Sequence, residues 1–121
     1  MDDLPHLEAI SAITLFTADM SRAVRFYEAL GFRLRYGGER SEFTSFHVGP
    51  GYLNLMNGAP PERPWGRAIL YVSDVDGMHQ RAVAAGLGPE TDPTDAPWGE
   101  RYFHLRDPDG HELSFARPLD R

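Results

Sequence analysis

Apolar positions recur along the chain with two spacings, and the order in which those spacings alternate carries most of the structural information. From Ile10 to Thr17 an extended segment sets Ile13 and Leu15 on one face and Ala12, Thr14 and Phe16 on the other. From Met20 to Leu30 the spacing lengthens, so that Met20, Ala23, Val24, Tyr27 and Leu30 form one stripe of a helix, with Asp19 as its cap and Gly31 as its stop. Phe32 to Tyr36, Phe43 to Val48 and Tyr52 to Met56 return to strand character, separated by Gly37-Gly38 and Gly49-Pro50-Gly51. Gly58 to Gly66 holds three prolines and no periodicity, and reads as a linker.

The pattern then restarts. Ala68 to Val72 predicts a strand, Asp74 or Asp76 a cap, Val75 to Ala85 a helix ended by Gly86, and Leu87 to Thr91 an extended piece. Tyr102 to Arg106 and Glu112 to Phe115 predict a hairpin around Asp107-Pro108-Asp109-Gly110, with Trp98 at its mouth. A shift of 55 positions lays Asp19 on Asp74, Leu15 on Leu70 and Gly31 on Gly86. The fold class expected is α+β: two βαβββ modules, about 8–57 and 67–118, joined by a linker at 58–66 within one domain spanning 1–121. Neither module buries its sheet alone. Their sheets should form one curved mixed layer, with helices on the outer face and a concave cleft inside.

Composition narrows the partners. A length of 121 residues suits one core. The formal net charge of -6 and the scattered arginines argue against a nucleic-acid groove. Met1-Asp2-Asp3-Leu4-Pro5-His6 lacks the basic start and apolar centre of a signal peptide, and no apolar run reaches membrane-spanning length, so a cytoplasmic protein is expected. Without cysteine there are no disulfides, thiolate nucleophiles or cysteine-type zinc sites. No nucleophile elbow and no glycine-rich phosphate loop is present.

Three segments in order, 18–32, 70–75 and 103–113, resemble the vicinal oxygen chelate superfamily, which includes glyoxalase I, extradiol dioxygenases, and fosfomycin- and bleomycin-resistance proteins. In its metal-dependent members the resemblance places ligands at positions equivalent to Ala12, Asn54, Arg67 and Ser114. Alanine and arginine cannot serve, and Asn and Ser are poor donors alone, so no metal and no cofactor is expected. The second half looks most like the bleomycin-resistance branch, where Pro-Trp-Gly sets an aromatic ring against the drug. Pro97-Trp98-Gly99 matches that segment, and Phe43 is the candidate for the second stacking ring. A homodimer, with modules that can exchange between chains, is implied by the same resemblance.

The resulting expectation is a metal-free protein that sequesters a planar, partly aromatic natural product or antibiotic in a dimer cleft. Trp98 and Phe43 would be platforms, Arg67, Asn54 and Ser114 polar contacts, and Phe16, Tyr71 and Phe103 pocket wall. Arg67 needs an acidic partner or a ligand carbonyl or anion. Trp65 reads as a structural plug, and Glu112 as a residue of the outer face. His47, His104 and His111 lack metal-ligand spacing. The alternative is an enzyme of the same superfamily, a lyase, isomerase or dioxygenase, acting through a divalent metal or through acid-base chemistry at His47 or His104.

Overall fold

The structure is a computed structural model that describes residues 4–119; Met1 to Asp3 of the amino-terminal stretch read above lie outside the described residues. Two modules of the same order follow one another. The first runs β1 (Ala12–Thr17), α1 (Met20–Ala29), β2 (Arg33–Tyr36), β3 (Phe43–Val48) and β4 (Gly51–Asn57). The second runs β5 (Arg67–Tyr71), α2 (Val75–Ala84), β6 (Thr94–Asp95), β7 (Glu100–Arg106) and β8 (Glu112–Pro118). Each module forms its own four-stranded mixed sheet, ordered β1-β4-β3-β2 and β5-β8-β7-β6. In both, the first strand lies parallel to the last and stands at the sheet edge.

The internal repeat is physical as well as sequential. Asp19 caps α1 by accepting from the Arg22 amide, and Asp74 caps α2 by accepting from the Gly77 amide. Both helices end in the same way. Gly31 and Gly86 take positive φ, and the next amides, of Phe32 and Leu87, reach back to the carbonyls of Tyr27 and Ala82. The extended piece expected at Leu87 to Thr91 is not the strand β6, which forms later, at Thr94–Asp95. That piece still borders β7: the Glu90 amide donates to the His104 carbonyl, and Thr91 Oγ1 accepts from the His104 amide.

One core joins the modules. Leu15, Tyr27, Phe46, Leu53 and Leu55 from the first pack in the same buried cluster as Leu70, Phe103, Leu105, Leu113 and Phe115 from the second. Polar contacts fasten the same seam. Tyr27 donates its hydroxyl to Asp107 Oδ2 at 2.7 Å, and Asp109 Oδ1 accepts from the Ala18 amide at 3.0 Å. Arg81 Nε donates to the Ala29 carbonyl at 2.8 Å. The Asp107-Pro108-Asp109-Gly110 turn therefore docks onto the first module, where its carboxylates find donors.

Candidate functional site

Strand alternation assigns the two faces of the second sheet. Ala68, Leu70, Phe103, Leu105, Leu113 and Phe115 enter the core, which leaves Arg67, Ile69 and Tyr71 of β5, Tyr102 and His104 of β7, and Glu112 and Ser114 of β8 on the opposite, open face. On that face lies a cavity of about 110 Å³, lined by Arg67, Ile69, Trp98, Glu100, Tyr102, His104 and Ser114. Three of the residues expected from the sequence, Trp98, Arg67 and Ser114, thus meet in one place. Tyr71 stands beside them and donates its hydroxyl to Glu100 Oε2.

Trp98 is 69% exposed and stacks on Tyr102, with centroids 5.9 Å apart and planes inclined by 24°. Its indole Nε1 donates to Glu100 Oε1 at 3.1 Å. Arg67 has its acidic partner in Glu112, directly opposite in the parallel register, at 3.2 Å. Glu112 also meets Arg106 at 3.1 Å, and Arg106 in turn meets Glu90 at 2.8 Å. Glu112 accordingly shares the open face with Ser114, two residues along one strand, and does not lie on the outer face expected for it. His104 is held below the usual histidine pKa, first by burial and then by the positive charge of Arg67, so its imidazole is neutral at physiological pH.

Phe103 does not line the site. It is fully buried against Phe115, at 5.3 Å, and against His79, at 5.1 Å, because the hairpin register sets His104, not Phe103, opposite Ser114. Tyr102 and Glu100 are the lining residues that sequence reading missed, and His104, named there only for the alternative acid-base reading, lines the cavity with them. Counting by twos from Ser114 across the hairpin reaches His104 and Tyr102 and, one step before the strand start expected at Tyr102, Glu100.

The remaining candidates sit on the first sheet. Asn54 pairs with both Thr14 and Ser45 across its strand and donates to Thr14 Oγ1 at 3.1 Å, while Phe43 lies near Tyr36, with centroids 6.4 Å apart. Phe16 borders a different cavity, of about 430 Å³, between β1 and the linker, together with Ile13, Ala59, Pro61, Trp65 and His111. Although larger, that space offers a ligand few orienting groups. The His111 ring spends both nitrogens, Nδ1 accepting from Trp65 Nε1 at 2.8 Å and Nε2 donating to the Phe16 carbonyl at 2.7 Å. Trp65, though 46% exposed, is thereby tied to the second module.

The two open faces share one further property. His104 Nδ1 and Ser45 Oγ are buried without a hydrogen-bond partner among the described residues, and the registers place them at matching points: His104 opposite Ser114, Ser45 opposite Asn54.

The donor set does not fit a divalent metal. At the positions where the superfamily resemblance expects ligands, Arg67 is a guanidinium in an ion pair, Ser114 offers a neutral hydroxyl and Asn54 a neutral amide oxygen, and Ala12 has no donor. Among the described residues, no group of three or more His, Asp or Glu side chains is arranged to hold an ion.

Comparison with known proteins agrees with this architecture. No curated protein sequence matches the chain. Among solved structures, TioX from Micromonospora sp. ML1 is 28% identical, with 93% of this chain and 100% of that one covered and a TM-score of 0.75. A bleomycin-binding protein complexed with bleomycin is 21% identical, with 92% and 98% covered and a TM-score of 0.72. A lactoylglutathione lyase from Agrobacterium tumefaciens is 22% identical, with 91% and 93% covered and a TM-score of 0.73. The latter two likenesses concern the fold. Residues 9–115 match the profile of the Glyoxalase/Bleomycin resistance protein/Dioxygenase superfamily, and the chain belongs to it.

Proposed function

We propose that this protein binds and sequesters a planar, partly aromatic small molecule without a metal, in a cleft that a second copy of the chain completes. The observation that carries the reading is the Trp98 and Tyr102 stack beside Arg67 and Ser114 on an open sheet face. One face of the indole rests on Tyr102 while the ring stays exposed. A flat ligand added to it gains about 0.5 to 1.5 kcal/mol beyond area burial. Asn54 and Phe43, on the first sheet, would come from the second copy. Both β1 and β5 are edge strands, and Ile69 and Tyr71 on β5 are well exposed, so two copies can join edge to edge and bring an open face of each kind together. The bleomycin-binding neighbour supports a ligand of this type. Titration with a panel of planar heteroaromatic compounds, followed by tryptophan emission, tests the reading. At least one should bind saturably, and Trp98→Leu should weaken it by about five-fold or more. Flat titrations across the panel by a well-folded protein would refute it.

Neutral His104 near the Arg67 charge favours a second reading, a metal-free acid-base enzyme in which Arg67 holds a substrate oxygen and His104 takes a proton. The lyase neighbour is compatible with it. A pH-rate profile that loses its acid limb in His104→Gln would favour this reading over sequestration.

A further inference from the structure

The ring platform is not held by ring contacts alone. Glu100, the first residue of β7, directs its two carboxylate oxygens at two aromatic residues from different elements. Oε1 accepts from the Trp98 indole, which belongs to the segment before β7, and Oε2 accepts from the Tyr71 hydroxyl at the end of β5. The backbone about Trp98 is closed by bonds from the Gly99 amide to the Ala96 carbonyl at 3.0 Å and from the Ala96 amide to the Glu100 carbonyl at 2.7 Å, which leaves the exposed indole itself to be fixed by side-chain contacts. The other acids of this face are spent on cations: Glu112 on Arg67 and Arg106, and Glu90 on Arg106. Among the described residues Glu100 pairs with no cation, and it accepts from neutral donors instead.

We propose that Glu100 is the positioning residue that pre-forms the ligand platform by clamping the Trp98 indole over Tyr102 and tying it to Tyr71. This rests on the platform reading above for its consequence in binding, but the clamp itself exists without ligand. A side chain already in its bound rotamer loses no freedom on association, whereas a released indole must be ordered by the ligand.

Two substitutions separate position from charge. In Glu100→Gln, the amide oxygen can accept from the indole and the amide nitrogen can donate to the Tyr71 hydroxyl, so the clamp survives without its charge. In Glu100→Ala it is lost. With 5-fluorotryptophan incorporated, the two tryptophans give two fluorine resonances, assigned by Trp98→Phe. In Glu100→Ala the Trp98 resonance should move toward that of a solvated indole, while Trp65, fastened to His111, stays in place as a control on folding. In Glu100→Gln both should stay near their parent positions. For an uncharged flat probe from the panel, affinity should fall about ten-fold in Glu100→Ala and by no more than about two-fold in Glu100→Gln. An unmoved Trp98 resonance in Glu100→Ala overturns the proposal, and so does a Gln variant that fails as badly as the Ala variant. Should Trp98→Leu bind every probe as well as the parent does, the platform reading falls, yet the resonance still decides whether the clamp exists.

Discussion

At the scale of single residues, Asp107 shows how an acid can be buried in this chain. Its Oδ2 accepts from Tyr27, and its Oδ1 from the amides of Asp109 and His111. Burial pushes its carboxyl above the ordinary value, against the pull of the Tyr27 bond and the two amides. Just above the ordinary carboxylate pKa of about 3.9, the folded chain therefore keeps a proton that the unfolded chain has released. Its contribution to stability falls as pH rises through that window. Asp107→Asn retains every bond, since the Tyr27 hydroxyl can turn and accept from the new amide, so its urea midpoint should rise relative to the parent's as pH rises across the window. Asp107→Ala should cost about 3 kcal/mol by the same measurement, because a hydroxyl and two amides are left unpaired. The role of this turn in hairpin formation could be read from Asp-Pro-Asp-Gly alone. That its carboxylates would find donors on the first module could not, because the partners lie up to 91 residues away.

At the scale of elements, the repeat was legible because capping chemistry is local: an acid before an apolar stripe and a glycine after it mark a helix wherever they occur. The two helices are not equally tolerant. A methyl group at Gly77 would collide with the Asp74 carboxylate that caps α2. Replacing a helical glycine by alanine ordinarily adds up to about 1 kcal/mol of stability. Here Gly77→Ala should instead lower it by about 1 kcal/mol, close to the loss in Asp74→Ala, as thermal melts of the two variants can show. The faces of β7 were misread for a different reason. Aromatic residues alternate with Phe103 along that strand on both sides, so hydrophobicity alone does not say which ring enters the core. Only the register across the turn does, and it brings Tyr102 and His104 to the site while sending Phe103 inward. The same period of two returns Glu112 to the side of Ser114. Glu100 escaped notice because its work lies in hydrogen bonds to rings that meet only in three dimensions.

At the scale of the whole molecule, the edge strands β1 and β5, with their exposed apolar side chains, are the feature that asks for a partner. If β5 lines a seam between copies, Ile69→Asp should turn a dimer into a monomer in sedimentation velocity, and binding of flat probes should fall with it. No helix among the described residues is long and apolar enough to cross a membrane.

The seam inside one chain has another consequence. Leu15, Tyr27 and Phe46 share their core with Leu70, Phe103 and Phe115, and the link from Tyr27 to Asp107 does not run through the connecting peptide. Cutting the backbone between Ala59 and Trp65 would therefore sever the covalent thread without removing what holds the halves together. Two fragments produced separately, one carrying the first four strands and the other the last four, should find each other and reconstitute the fold, recoverable as a single species when only one carries an affinity tag.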